Sequence, residues 1–434
     1  MNAAAATSPA NRVLSAWRDP AARERNVDIL AVLIALSLPW STSLVAIFAV
    51  VWLVALAPTL DFKLFLQSLK RPICAVPIAL FLLALGGTLW SDASWSARSY
   101  ALSPVTKLLV LPLLFYHFER SSRGMWVFVA FLVSCALMMV MSWLVLIYPD
   151  LTLKRGDVER GIFVKNYIDQ SQEFALCAVV LTYPVITLLR DRKIWQALVL
   201  IAIAASLLAN MAFVIVSRTA LVTLPIMLAV FALMHLRWRT NVILFLAAIM
   251  LGALAWVISP QLQATTNRFA RDYRLYKDHN EPTALGMRLE FYRKSLRFFV
   301  DAPVIGHGTG STQGLFQAAA TGLATFARGQ AINNPHNQTL NVAVQWGGGG
   351  VVLLYAMWLV HLLLFRREGL VAWIGLMVVS QNILSSLFNS HLFDFHEGWM
   401  YVLGVGVAGG MALREKSRAG GEQTRQQQAI PVRS

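Results

Sequence analysis

The chain has 434 residues, of which 57% are hydrophobic and 14% charged, with a formal net charge of +15 and a mean hydropathy of +0.59. A water-soluble globule of this length needs far more polar surface, so lipid must solvate most of the chain, and no nucleic-acid partner is expected.

In chain order the sequence offers about twelve apolar runs of the kind that cross a hydrocarbon core. They lie near Val27 to Trp40, Ser41 to Ala57, Pro72 to Trp90, Ala101 to Phe118, Met125 to Tyr148, Gln172 to Leu189, Ile194 to Asn210, Arg218 to His235, Asn241 to Ser259, Leu340 to Phe365, Leu370 to Leu387 and Trp399 to Leu413. The first two are short and share a Pro-Trp-Ser joint, so a re-entrant hairpin is the alternative for them. The runs are continuous and do not alternate, which argues against a β-barrel. The fold class is therefore an all-α integral membrane protein with about twelve transmembrane helices and one large, partly helical periplasmic segment. Cys74, Cys135 and Cys177 each fall within or at the edge of an apolar run, which implies neither a disulfide framework nor a metal cluster.

Orientation follows from the basic residues of the joints. Arg12, Arg18, Arg23 and Arg25 precede the first span, and every second joint after it is basic: Lys63, Lys70 and Arg71; Arg120 and Arg123; Arg190, Arg192 and Lys193; Arg237 and Arg239; Arg366 and Arg367; Arg414, Lys416 and Arg418. All fall on one side if both termini are cytoplasmic. The first residues lack the apolar core and cleavage site of a signal peptide, so the first span acts as an uncleaved signal. The organisation is then a cytoplasmic arm (1–26), nine spans (27–259), a long extracytoplasmic segment (260–339) in which function is to be sought, three spans (340–413) and a disordered cytoplasmic tail (414–434).

The segment 260–339 is basic on the side where basic residues are scarce. Arg268, Arg271, Arg274, Lys277, Arg288, Arg293, Lys294, Arg297 and Arg328 outnumber Asp272, Asp278, Glu281, Glu290 and Asp301. A long translocated loop escapes the positive-inside rule, but an anionic substrate is the sharper reading. The joint carrying Lys154, Arg155, Arg160 and Lys165 points the same way, as does Lys107, whose ammonium inside a span needs a polar cavity or a partner.

Within the segment, GMRLEFYRKSLRFFVDAP predicts a helix that ends before Pro303, with Leu289, Tyr292, Leu296 and Phe299 as an apolar stripe and Glu290 spaced to pair with Lys294. Such a helix can lie flat among phospholipid head groups. GHGTGS is a tight turn whose N–H groups either converge on an anion or merely let the chain bend. In NNPHNQTLN, Asn334 precedes Pro335, so His336 projects from a turn or the first turn of a helix. A neutral imidazole there can take a proton from an attacking hydroxyl near neutral pH, and Asn333, Asn334, Asn337 and Gln338 offer hydrogen bonds suited to a sugar. Arg218 opens a span at the extracytoplasmic edge, where its guanidinium needs a carboxylate, carbonyl or phosphate. NSHLFDFHEGW places His391, Asp394, His396 and Glu397 together, a set that would suit a cation or, in the preferred reading, structural hydrogen bonds and acceptor contacts. Gly347 to Gly350 permit close helix packing.

Taken with the Ser217-Arg218 step, the Arg288 helix and Pro335-His336-Asn337, this layout resembles the bacterial O-antigen ligases, of the superfamily that also contains O-antigen polymerases and protein O-oligosaccharyltransferases. The resemblance implies a catalytic set of Arg218, Arg288 and His336, and the residues read above add Arg160, Lys107, Asn334 and Asn337 as expected substrate contacts. It implies transfer of a polysaccharide from undecaprenyl diphosphate to a sugar hydroxyl of lipid A-core at the periplasmic face of the bacterial inner membrane, with no metal or other cofactor. The motifs leave ligase, polymerase and protein oligosaccharyltransferase open. A transporter remains as the alternative of another class, although it would favour charges near the midplane and repeat symmetry.

Overall fold

The computed structural model of the chain describes residues 19–154, 161–215, 217–235, 238–320, 329 and 331–428. Among them are eighteen α-helices and no strand. The helices are α1 (Pro20–Ser37), α2 (Thr42–Leu56), α3 (Phe62–Leu69), α4 (Pro72–Gly86), α5 (Trp95–Leu102), α6 (Val110–Phe118), α7 (Gly124–Ile147), α8 (Tyr167–Val180), α9 (Thr182–Arg190), α10 (Ile194–Phe213), α11 (Arg218–His235), α12 (Trp238–Ile258), α13 (Pro260–His279), α14 (Ala284–Asp301), α15 (Thr312–Ala318), α16 (Gln338–Leu364), α17 (Leu370–Ser385) and α18 (Phe395–Gln428). Each of the twelve apolar runs lies on helix. By length and apolarity, six of the described helices can cross a membrane, or up to eight when each bent pair is one span. Among the remaining runs, α1 carries Arg23, Glu24, Arg25 and Asp28, and α17 has only 16 residues.

The bundle centre forms where α18 packs on α6 and α17. Gly406, Gly409 and Gly410 make the first contact possible, since a Cβ on them would sit within 2.6 Å of Leu114, Phe115 and Phe118. Small residues let helix backbones approach closely enough for dispersion to hold them in a lipid solvent that supplies no hydrophobic drive. Cys74, Cys135 and Cys177 are free and buried in the bundle.

Two polar groups of contacts mark opposite ends of the molecule. At one end Arg71 pairs with Glu119 at 2.7 Å, Arg123 with Asp28 at 3.2 Å, and Arg414 donates to the Ser121 carbonyl at 2.9 Å. The other end carries the segment after α12. There Ser259 caps α13 through its hydroxyl and Pro260 starts it, and the chain turns by 87° between Phe245–Ile258 and Leu262–His279. Asn280 ends α13 in the left-handed conformation (φ 54°), and Thr283 caps α14. The two helices form a hairpin in which Gly286 lies against the Tyr276 ring and Tyr276 Oη donates to Glu290 at 3.3 Å. Arg268, Arg271, Arg274 and Lys277 are exposed along α13.

The expected helix over the Arg288 stretch is present, but it buries a different face. Leu289 and Leu296 are exposed, whereas Phe291 and Phe298 close a small aromatic core with Phe316 and Val344, at ring separations of 5.7 and 5.3 Å from Phe316. Each phenyl ring so buried stabilises the docking of α14 on α16 by about 1.5–3 kcal/mol. Glu290 takes a second hydrogen bond from Arg293 at 2.8 Å, and its charge also acts on Lys294, the residue that the spacing offered as its partner.

The glycine-rich stretches complete that docking. Inside α16, Gly347 adopts φ 60° and ψ −158°, which breaks the helix. The freed N–H groups of Gly348 and Gly349 donate to the carbonyls of Pro303 and Val304 at 2.7 and 3.1 Å, clamping the chain after α14 into the break. A Cβ on Gly347 would lie 2.5 Å from the Val304 carbonyl. Gly347→Val is therefore expected to lower stability by about 1–3 kcal/mol from backbone strain alone. Thermal unfolding of the detergent-solubilised protein checks this. Gly252→Ala serves as the neutral control, because nothing lies within 4 Å of a Cβ there.

Candidate active site

The site is built on the turn that enters α16. Asn334 Oδ1 accepts the His336 N–H at 2.9 Å, an Asx turn that holds His336 in the left-handed region (φ 55°). Such a conformation is uncommon outside glycine and is over-represented where a side chain must be aimed. Asn337 then caps α16, its Oδ1 accepting from Leu340 at 3.0 Å while Nδ2 donates to the Leu387 carbonyl at 3.1 Å. The imidazole is half-buried and lies over Phe291 of α14, with centroids 6.2 Å apart and planes at 29°. Tyr292 Oη donates to the Leu387 carbonyl at 2.8 Å and sits 3.1 Å from the His336 carbonyl, so α14 is stitched to both sides of the turn.

The wall facing His336 is the connection between α17 and α18. His336 Nδ1 lies 2.9 Å from Asn389 Oδ1, Asn389 Nδ2 donates to Asp394 at 2.7 Å, and Asn334 Nδ2 donates to Asn389 Oδ1 at 3.3 Å. Below them Ser390 donates to Asn334 (2.8 Å), Asn341 to Ser390 (3.0 Å) and Gln345 to Asn341 (2.8 Å), and the Gly310 N–H donates to Gln345 Oε1 (2.8 Å). Buried polar atoms in a lipid-embedded bundle have no water to fall back on, and this ladder satisfies them in sequence.

Burial is the largest influence on the His336 ring and holds its pKa below the ordinary histidine value; the Asn389 hydrogen bond works against it, and the Arg288 charge reinforces it. The ring is therefore neutral at neutral pH and able to accept a proton. Burial raises the Tyr292 phenol, against the opposing influence of Asn337 and Arg288. In the facing loop, burial lowers His391 to about 4, and burial raises Asp394 to about 6 against the pull of Lys107.

Arg288 and His336 are thus brought to one place from helices that are separate in sequence. Arg218 begins α11, and Ser217 before it is buried; the Arg218 side chain is not among those described, and Arg160 lies outside the described residues. The segments leading to both belong to the same end of the molecule as His336. Ser259, at the start of α13, bonds the Ala212 carbonyl at 3.1 Å, and Gly161 abuts Val214. Asp169 in the first turn of α8 pairs with His396 at 2.6 Å.

Lys107 is buried, and its ammonium reaches the loop backbone, donating to the Asp394 carbonyl at 2.5 Å and the Phe393 carbonyl at 3.3 Å. Lys165 is likewise engaged, with Glu173 at 3.4 Å and the Leu38 carbonyl. In the glycine turn, the N–H groups of His307, Gly308 and Thr309 donate to Val344, Gln345 and Gly87, so the turn is a packing device and its N–H groups do not form an anion cradle. The residues of NSHLFDFHEGW divide among different partners: His396 goes to Asp169, and His391 stands 4.0 Å from both Asp394 and Glu397. Among the described residues no three His, Cys, Asp or Glu side chains are grouped to hold a metal ion. Sequence reasoning missed Asn389; the one available signal was its position two residues before His391, at the edge of a polar run between apolar ones.

A multi-helix membrane protein with a half-buried histidine, a nearby arginine and a polar wall at one end is the class these features define. Residues 203–355, which contain Arg218, Arg288 and His336, match the family model described as O-antigen ligase. No curated protein matches the chain significantly.

Lys107 allows a direct test of role. If its ammonium holds the loop, Lys107→Met costs about 1.5–3 kcal/mol for a lost charged hydrogen bond and lowers the unfolding temperature together with kcat. A pure substrate contact would instead raise KM with unfolding unchanged.

Proposed function

We propose that the protein is an O-antigen ligase, transferring polysaccharide from undecaprenyl diphosphate to a sugar hydroxyl of lipid A-core at the periplasmic face of the inner membrane. The observation that carries this reading is a neutral, half-buried His336 on the same end of the bundle as Arg288, within the residues that match the family. The twelve-span topology with cytoplasmic termini goes with it. Its support is the gathering of Arg71, Arg123 and Arg414 at the end opposite His336.

In the reaction, His336 accepts the proton of the acceptor hydroxyl as its oxygen forms a bond to the anomeric carbon. The bond from that carbon to the diphosphate breaks on the opposite face, so configuration inverts, and undecaprenyl diphosphate departs with the electron pair. Arg288 and Arg218 stabilise the negative charge gathering on the leaving diphosphate, and Arg160 adds to the anionic site. These arginines supply the positive charge, so transfer needs no metal. Asn334 and Asn337 line the acceptor side of the turn, and Lys107 acts by holding the loop that faces His336.

Purified protein in nanodiscs, given the lipid-linked donor and lipid A-core, tests the reading through its product. Capped lipid A-core supports a ligase, longer donor chains would mark a polymerase, a glycosylated protein acceptor would mark an oligosaccharyltransferase, and no reaction would favour a transporter. His336→Ala is expected to lower kcat by about 10²- to 10⁴-fold, the range of general-base catalysis. Arg288→Ala and Arg218→Ala should each lower it by about 10²-fold or more. A variant present in the membrane with undiminished transfer loses its assigned role.

The base works when deprotonated. Because its pKa is held below the ordinary value of 6.5, kcat/KM should be level at neutral pH and fall only as pH drops below that value. An acid limb centred above 6.5 would contradict a neutral, buried base.

A further inference from the structure

The connection between α17 and α18 contains a residue whose geometry bears on catalysis although it lies outside the matched family region. Asn389 touches His336 on one side and Asp394 on the other, and the chemistry of its amide settles which atom faces which. A carboxylate oxygen only accepts, so Asn389 must turn its NH₂ toward Asp394, where the separation is 2.7 Å. Its carbonyl oxygen is then forced toward His336 Nδ1, at 2.9 Å, and Asn334 Nδ2 donates to the same oxygen at 3.3 Å. An amide oxygen accepts only, so Nδ1 must carry the ring proton, and Nε2 is left with its lone pair. Among the described residues Nε2 has no hydrogen-bond partner.

From this array we infer that Asn389, oriented by Asp394, is a positioning residue that locks His336 in the Nδ1–H tautomer and so presents Nε2 as the proton acceptor. The inference rests on the proposed role of His336 as base. Asp394 is itself fixed, because its carbonyl takes the Lys107 ammonium at 2.5 Å while its carboxylate takes Asn389. An amide is the suitable partner here. It chooses the tautomer without adding a negative charge, so the imidazole keeps the low basicity that burial imposes.

The charged and titratable groups around the array are Arg288 and Tyr292 from α14, His391 in the loop, Lys107 below it, Asp169 from α8, and His396 and Glu397 from α18. Arg288 opposes protonation of His336, and both oppose protonation of His391. Lys107 and His396 favour an ionised Asp394, while Asp169 opposes it.

Two variants and two readouts test the inference. Asn389→Leu removes the amide at similar volume, and the exchange N389D/D394N keeps a hydrogen-bonded pair but sets a carboxylate against Nδ1. The first readout is the ¹⁵N spectrum of histidine-labelled protein, with His336 assigned by its absence in H336Q. The wild-type ring should show the Nδ1–H form, and N389L a mixture of tautomers. The second is the pH profile of glycan transfer. N389L should lose about 100-fold in kcat with KM little changed, in line with a misplaced base. N389D/D394N should regain kcat to within about tenfold and move the acid limb to higher pH, because a carboxylate favours the imidazolium. A purely structural role for Asn389 would not move that limb.

Unchanged tautomer and unchanged kcat in N389L would overturn the inference, as would an exchange variant whose acid limb stays in place. If wild-type protein transfers no glycan, the reading of function fails, yet a tautomer that is lost in N389L still supports the lock.

Discussion

Everything at the site end depends on one requirement: polar atoms taken into a lipid-embedded bundle must find partners within the protein. The ladder that runs from Gly310 through Gln345, Asn341, Ser390 and Asn334 to the backbone of His336 meets it. Because each side chain between those two backbone donors both gives and takes, the entrance of α16 can sit only one way against the loop after α17. Gln338 reinforces this registration, its N–H donating to Ser386 and its side chain accepting from Leu392. The histidine is consequently placed by packing and hydrogen bonding around it, and its strained backbone is held by the same contacts.

The second placement, that of Arg288, comes from apolar and backbone forces. Phe291 and Phe298 seat α14 on α16, and the broken turn at Gly347 clamps the following chain. Since these two rings flank the helix face that also presents Tyr292 to the His336 turn, the arginine and the histidine are fixed relative to each other by a single docked helix. The charge of Arg288 then does two things. It reinforces the burial that keeps the imidazole deprotonated before substrate arrives, and in the proposed reaction it faces the anion that forms as the diphosphate leaves.

Much of this was legible in the sequence, and the failures have physical causes. The apolar runs land on helices because lipid burial demands continuous apolarity. The Arg288 helix and the turn at His336 follow from periodicity and from Asn334-Pro335. The inner face of α14 was not legible, since Glu290, Lys294 and Ser295 are buried beside its phenylalanines and disguise the stripe. Helix α13 went unread amid its charges, although Ser259-Pro260 and Asn280 mark its two ends. Asn389 lies 53 residues from His336 and Lys107 lies 287 from Asp394. No local pattern reports contacts of that kind, so Lys107 reads from sequence as a ligand for substrate while the fold gives it a backbone to hold.

The central claim is that the diphosphate of a polyprenyl-linked glycan sits at this end of the bundle beside Arg288 and within reach of His336. The most direct test is a cryo-EM structure of the protein in nanodiscs with bound undecaprenyl diphosphate. The account predicts phosphate density within about 3 Å of the Arg288 and Arg218 guanidinium nitrogens, the distance of a charge-assisted hydrogen bond, with His336 Nε2 facing the same cavity. Diphosphate density at the opposite end, among Arg71, Arg123 and Arg414, would contradict it.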